Sequence, residues 1–101
     1  MEVFTPVGNT VNLAVTTTTG RVALTATTGL TGVSVRVYNA GAATAFLTFG
    51  TSTVEATTAA GMPVPSGSIE VFAFPAATVT DVAGITSSGT ATVYFTSGRG
   101  A

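Results

Sequence analysis

The stretch Val33-Ser-Val-Arg-Val-Tyr-Asn39 decides the fold class, because apolar and polar side chains alternate along it with a period of two. This period places one set of side chains on each side of an extended strand, and it is typical of a strand with one buried side. Valine and threonine are β-branched and favour strands over helices. The same alternation recurs at 21–27, 45–49, 69–74 and 91–96.

Turn signals rich in Gly, Asn, Ser and Pro separate these stretches at intervals of about 8–12 residues, the spacing of a sandwich or barrel. They predict an all-β protein, an antiparallel β-sandwich of jelly-roll or immunoglobulin-like type with about eight short strands and little or no helix. Residues 52–55 match a helix capping box, but the segment after them is too short for more than one turn, so a loop is expected. The predicted strands cover 11–17, 21–28, 33–39, 44–50, 53–57, 68–74, 78–86 and 90–97.

The length of 101 residues fits a single domain. Residues 1–10 precede any strong pattern, and we expect an N-terminal arm, an edge strand or a frayed end there. The sandwich domain is expected over 11–101. Its core is expected to centre on 33–97, with 11–28 adding a hairpin to one sheet.

Charged residues make up only 7% of the chain, against about 25% in ordinary globular proteins. Lys, His, Cys, Trp and Gln are absent, and Thr is the most abundant residue type. A neutral surface of Thr, Ala and Gly loses little hydration free energy when it is covered, so the composition indicates a surface built to meet a partner. The alternative is a small, stable domain with a threonine-coated exterior.

The residue inventory argues against most chemistry. His, Cys and Lys are missing from the usual acid–base groups, and only Glu55 and Glu70 could meet as a carboxylate pair. Ligands for zinc and clustered oxygen ligands for calcium are lacking. A net charge of −1 with three cationic residues offers no basic patch for nucleic acid. The most apolar stretch, 71–77, is far shorter than the roughly 20 residues of a membrane span. We therefore expect no enzyme, no cofactor or metal site, and no nucleic-acid or membrane partner.

Aromatic side chains are the best candidates for recognition. Tyr38 and Tyr94 lie on the polar phases of their strands, where they serve either an interface or cross-strand packing. The strands around Phe46 and Phe72 are apolar on both sides. Such strands are central, or meet another chain, or place aromatics over the open edge of the sandwich. The candidate interface residues are Phe4, Arg36, Tyr38, Phe46, Glu70, Phe72, Tyr94 and Arg99.

Four motifs of strands and turns follow one another in the last two thirds of the chain: Val35-Arg-Val-Tyr-Asn39, Ala45-Phe-Leu-Thr-Phe-Gly50, Pro63-Val-Pro-Ser-Gly-Ser-Ile-Glu-Val-Phe72 and Ile85-Thr-Ser-Ser-Gly-Thr-Ala-Thr-Val-Tyr-Phe95. In these motifs the chain, from about Val33 to its C-terminus, resembles a group of small structural proteins of tailed bacteriophages. No functional residue is transferred from the resemblance.

The resemblance implies a capsid decoration or cement protein, which would bind the major capsid protein from outside as a homotrimer and stabilise the head. It would then be located on the capsid surface of the virion, and in the host cytoplasm during assembly, which agrees with the absence of a signal-peptide pattern at the N-terminus. Two alternatives stay open: another virion part such as a head–tail connector, tail tube or fibre-base module, and a carbohydrate- or surface-binding module with an aromatic platform.

Overall fold

The computed structural model describes residues 5–6, 10–24, 32–75 and 79–99. These residues form nine β-strands and no helix, so they contain no candidate for a transmembrane helix. The predicted all-β class is confirmed. The strands are β1 (Thr5–Pro6), β2 (Val11–Val15), β3 (Gly20–Ala23), β4 (Gly32–Asn39), β5 (Ala45–Gly50), β6 (Met62–Val64), β7 (Ile69–Pro75), β8 (Asp81–Ile85) and β9 (Ala91–Arg99).

The strands form two antiparallel sheets. Sheet A has the order β2-β9-β4-β7, and the short β1 continues the line of β2 along the same side of β9. Sheet B has the order β3-β8-β5-β6. Because β1 and β2 occupy one edge in succession, the sandwich has eight strand positions, as the sequence predicts.

The strands from β2 to β9 pair in a nested order: the first pairs with the last, the second with the last but one, and so on inward. Thus β2 pairs with β9, β3 with β8, β4 with β7 and β5 with β6. The chain therefore has the connectivity of one long hairpin that is rolled up, with β4·β9 and β5·β8 closing the two sheets. This is jelly-roll topology, and it excludes the immunoglobulin-like alternative, whose sheets join strands in a different order.

The core lies between the sheets and contains small and medium-sized apolar side chains. On β4 and β9 the inward phase is fully buried, as predicted, and it includes Val35, Val37, Val93 and Phe95. Sheet B contributes Leu47 and Val82 from its own inward phase. The β-branched residues thus fill the space between the sheets. Most described outward side chains are exposed or half-buried, and the exceptions are Ser34 on β4 and Ala83 on β8.

Three sequence predictions are wrong. Residues 53–57 form a loop between β5 and β6, and a strand that was not predicted covers 62–64. Pro63 and Pro65 predicted a turn there, but β6 is an edge strand, where a missing backbone N–H leaves no buried acceptor unpaired. The expected hairpin over 11–28 is also absent from the described residues of that range, because β2 and β3 lie in different sheets.

A fully buried asparagine fixes the corner after β4. The Asn39 side chain donates from Nδ2 to the Ala43 and Val64 carbonyl oxygens, both at 2.9 Å, and its Oδ1 accepts from the Gly41 backbone N–H at 2.9 Å. The loop between β4 and β5 leads from sheet A to sheet B. These bonds tie this loop to strand β6 of sheet B. The corner is tight because a Cβ atom added at Gly41 would overlap the Ala91 backbone.

The outer side of sheet B is covered in part by the chain itself. The β5–β6 loop, residues 51–61, is attached on one flank because the Ala56 N–H donates to Thr19 Oγ1 at 2.8 Å. On the other flank, Gly61 packs directly against Phe46 of β5. Between these flanks, Ala83 of β8 points outward, opposite Thr48, yet it is fully buried. The loop crossing β8 accounts for this burial.

Candidate docking face on sheet A

The outer side of sheet A carries two rows of side chains in register across four strands. Directly opposed residues of an antiparallel pair project to the same side of the sheet. The first row is Asn12, Tyr94, Tyr38 and Ile69, on β2, β9, β4 and β7. The second row is Thr10, Thr96, Arg36 and Val71, and Thr10 and Thr96 join their hydroxyls at 2.7 Å. We call these eight residues the open face.

The open face concentrates the exposed apolar surface of the described residues. Among the described residues, five large hydrophobic side chains are exposed, and four of them belong to the open face. Their exposed fractions are 42% for Tyr38, 38% for Tyr94, 51% for Ile69 and 38% for Val71. The fifth, Met62, lies on edge strand β6 of the other sheet. Exposed apolar groups that are contiguous, rather than scattered, mark interaction surfaces.

Tyr38 and Tyr94 form a cross-strand pair whose ring centroids are 6.3 Å apart and whose planes differ by 19°. Of the two roles that the sequence left open, cross-strand packing is therefore observed, and the interface role stays a prediction. The rings pack on each other, and each still exposes more than a third of its surface. Tyrosine in this position offers an apolar ring and a polar hydroxyl at low entropic cost, as in many interfaces.

Arg36 is the single charged residue of the open face. It lies on inner strand β4, between Thr96 of β9 and Val71 of β7, and it is exposed. It forms no hydrogen bond or ion pair with any residue that the structure describes.

Three other candidate residues lie away from this face. Phe46 is half-buried on the outer side of sheet B, beneath the β5–β6 loop. Phe72 lies opposite Val35, on the core-facing phase of β7, and its ring packs on Phe49 with centroids 5.2 Å apart. Glu70 lies opposite buried Val37 and is exposed because β7 is an edge strand. Phe72 therefore covers the open edge of the sandwich, which is the third interpretation left open by the sequence.

The remaining two candidates lie largely outside the described residues. Phe4 is outside them altogether. Arg99 is described only through its backbone, which pairs with Thr5 at the end of β9.

Sequence reasoning missed Ile69 and Val71 as surface residues. In 69–74 both phases are apolar, and the single charge, Glu70, lies on the phase that faces the core. A charged residue normally marks the solvent side, so the pattern alone favoured the opposite orientation. The signal that resolves the phase is register: Val71 lies opposite exposed Arg36 and Ile69 opposite exposed Tyr38.

A second, smaller feature lies on sheet B. An open pocket of about 250 Å³ is lined by Thr19, Gly20, Arg21, Val54 and Glu55. Arg21 donates from Nη1 to the Val54 carbonyl oxygen at 3.2 Å, which fastens the β5–β6 loop. The pocket is thus a by-product of loop attachment. Its carboxylate, Glu55, lies beside β3 at one edge of sheet B, whereas Glu70 is at the far edge of sheet A, so the two do not form a pair.

The described residues contain no group of three His, Cys, Asp or Glu that could hold a metal ion. Asp81 accepts a hydrogen bond from Thr80 Oγ1 at 2.7 Å. The chain matches no protein-family model, and no curated protein is significantly similar to it in sequence.

Proposed function

We propose that this protein is a structural component of a tailed-phage virion, a decoration protein that binds the outer capsid lattice and stabilises the head. The observation that carries the proposal is the asymmetry of the two outer sheet surfaces. Residues 51–61 lie over part of sheet B, whereas the open face of sheet A exposes two tyrosines and two aliphatic side chains. A protein that works by fitting against neighbours needs one such surface.

The jelly roll supports this proposal as a scaffold. Jelly rolls recur in viral capsid and lectin domains, although the fold alone does not fix the function. The resemblance of residues 33–101 to phage structural proteins points in the same direction. Because charged residues make up only 7% of the chain, covering its surface costs little desolvation free energy.

The size of the open face suggests how such a protein would bind. With strands about 4.8 Å apart and a rise of about 3.4 Å per residue, the two rows span about 20 Å by 15 Å, or about 300 Å². A standard interface takes about 800 Å² from each partner. One face is therefore too small for a stable contact. Three faces in a homotrimer would offer about 900 Å² in total. Their weak contacts would add, because one oligomer would span several capsid subunits.

A carbohydrate-binding function is the second candidate, and the near-parallel Tyr38–Tyr94 pair specifically favours it. Aromatic faces with nearby polar groups suit sugar rings, and Asn12 and Arg36 adjoin the pair. Against this candidate, the platform is limited to two rings, because Phe46 lies on the other sheet.

Binding to purified shells tests the proposal directly. Empty expanded heads of the virion, unexpanded heads and a glycan array are each incubated with the protein, and light scattering gives its mass in solution. We expect a trimer that co-sediments with expanded heads, binds unexpanded heads less and binds no glycan. Failure to bind either head form would refute the decoration function, and glycan binding that is lost in Tyr94→Ala would favour the second candidate. Density at the head–tail junction or tail of an intact particle would assign the protein to another virion part.

A further inference from the structure

Among the described residues, no acidic side chain lies beside the charge on the open face. Arg36 is its one ionisable cation, and no acidic residue belongs to either row. The nearest carboxylate along β7, Glu70, lies on the core-facing phase of its strand. Glu55 and Asp81 belong to the loop and strand of sheet B. Any surface that covers the face must therefore bury an unpaired guanidinium or bring an anion to it.

Burying a cation without a partner is strongly unfavourable, because the lost hydration is not replaced. A carboxylate is the group that best repairs this loss, since the planar guanidinium binds both carboxylate oxygens at once. Two tyrosine rings lie in the adjacent row and would exclude water around such a pair. Well-packed aromatic side chains around a desolvated charge pair are the composition of interface hot spots.

A second copy of the chain cannot supply this carboxylate through the same face. In a two-fold dimer the symmetry axis passes near the centre of the shared face. Arg36 lies on inner strand β4, so two guanidinium groups would approach each other. Such a dimer would also bury only about 600 Å² in total, about half of the smallest standard interface.

We infer that the open face binds a side-chain carboxylate on the major capsid protein, with Arg36 as the anchoring charge, and that contacts between copies of this chain use other surfaces. This inference rests on the proposed decoration function and adds the chemistry of the partner to it.

Charge variants test the inference on expanded heads. Arg36→Lys keeps the charge but loses the two-pronged geometry, Arg36→Gln removes the charge, and Arg36→Glu reverses it. Relative to the parent, binding should weaken in that order, with Arg36→Gln at least about 30-fold weaker, the size of an interface hot spot. Thr58→Glu is the control for added negative charge, because Thr58 is exposed on the loop over sheet B, and it should bind as the parent does.

The dependence of binding on salt concentration distinguishes a charge pair from an apolar contact. Raising ionic strength from about 0.05 M to about 0.5 M should weaken the parent more than Arg36→Gln, because screening acts on the charge pair. Light scattering should give every variant the oligomeric mass of the parent.

Cysteine footprinting locates the contact independently, since the chain contains no cysteine. Thr92→Cys and Ala73→Cys place exposed thiols on the outer side of sheet A, and Thr58→Cys places one on the loop over sheet B. On saturated heads, thiol labelling should slow at positions 92 and 73 and stay unchanged at 58.

The outcomes separate the two claims. A parent protein that binds no heads overturns the proposed function and this inference together. A parent that binds heads while Arg36→Glu binds equally well, or while labelling slows at 58 and not at 92, overturns the inference alone. A change of oligomeric mass in Arg36→Glu would show instead that the open face joins copies of the chain.

Discussion

The buried side chain of Asn39 provides the most quantitative prediction for the fold. It is fully buried at the end of β4 and makes three hydrogen bonds of 2.9 Å to the backbone at Gly41, Ala43 and Val64. Replacing it with alanine removes all three bonds and leaves one N–H and two carbonyl groups without that partner. Gly41 already lies against the backbone of Ala91 on β9, so the loop has little room to move in that direction.

The magnitude follows from the burial of each bond. A buried polar group that loses its partner costs about 1–3 kcal/mol, and less where water can replace the partner. The bond to Val64 is buried, whereas those to Ala43 and Gly41 are partly buried. We expect Asn39→Ala to lower the free energy of unfolding by about 3–5 kcal/mol. A domain of this size has about 5–15 kcal/mol in total, so the variant should be close to unfolding.

Asn39→Asp tests the donor function separately, because aspartate keeps the size and one acceptor oxygen. Above neutral pH it would place a carboxylate against two carbonyl oxygens, with no cation among the groups that face it. Burial and these carbonyls raise the pKa of the introduced carboxyl above its unfolded value of about 3.9. The folded form then binds more protons than the unfolded form, so stability falls as pH rises between the two pKa values. The penalty is smallest below about pH 4, where the neutral acid can donate one bond.

Urea unfolding followed by circular dichroism measures both variants across pH 3–8. Asn39→Ala should lose the same free energy, relative to the parent, at every pH, whereas the loss for Asn39→Asp should grow with pH. A loss below about 1 kcal/mol for Asn39→Ala would refute the reasoning, because even one unsatisfied buried carbonyl costs that much. So would an Asn39→Asp loss that does not change with pH.

Three further predictions concern separate parts of the molecule. Gly41→Ala should destabilise strongly because the added methyl overlaps the Ala91 backbone, whereas Gly67→Ala, at φ 77° with open space around it, should lose only about 1 kcal/mol in urea unfolding. Val93→Asp should abolish the cooperative thermal transition, since it buries an unpaired charge at a fully buried position; a transition near that of the parent would contradict this. Tyr94→Ala should reduce binding to expanded heads while its melting temperature falls by only a few degrees, and equal losses of binding and stability would identify Tyr94 as a packing residue instead.

Most strands could be predicted from periodicity because the two central strands of sheet A obey it closely. In β4 and β9 the inward valines are fully buried and the outward Arg36 and Tyr94 are exposed. Strand order could not be predicted, because alternation says which side of a strand is buried and not which strand lies beside it. The jelly-roll and immunoglobulin-like orders therefore fit the sequence equally well, and only the pairing of β2 with β9 and β3 with β8 separates them.

Prediction failed where edge strands relax the usual rules. At β6 the chain tolerates Pro63, and at β7 it exposes Glu70 on the core-facing phase. Both features follow from position in the sheet, since an edge has a free hydrogen-bonding side and a core-facing side chain at the rim reaches water. The same difficulty affected the candidate site. The sequence identified Tyr38, Tyr94 and Arg36 as interface candidates because they lie on regular central strands, whereas it did not identify the two aliphatic members of the open face, which lie on an edge strand.

The same edge features are the reason that the proposed function uses a face of the sandwich and not an edge. Edge strands invite pairing with other chains unless they are short, carry proline or point a charge inward. In sheet B, β6 has three residues and includes Pro63, and β3 has four residues. In sheet A, β7 is the longest edge, and a strand added to it would have to cover the inward carboxylate of Glu70. Three of the four edge positions are therefore poorly suited to pairing, and residues 51–61 lie over part of sheet B. The open face around Tyr38 and Tyr94 exposes four of the five exposed large apolar side chains of the described residues, and this is why the proposed function assigns it to the capsid partner.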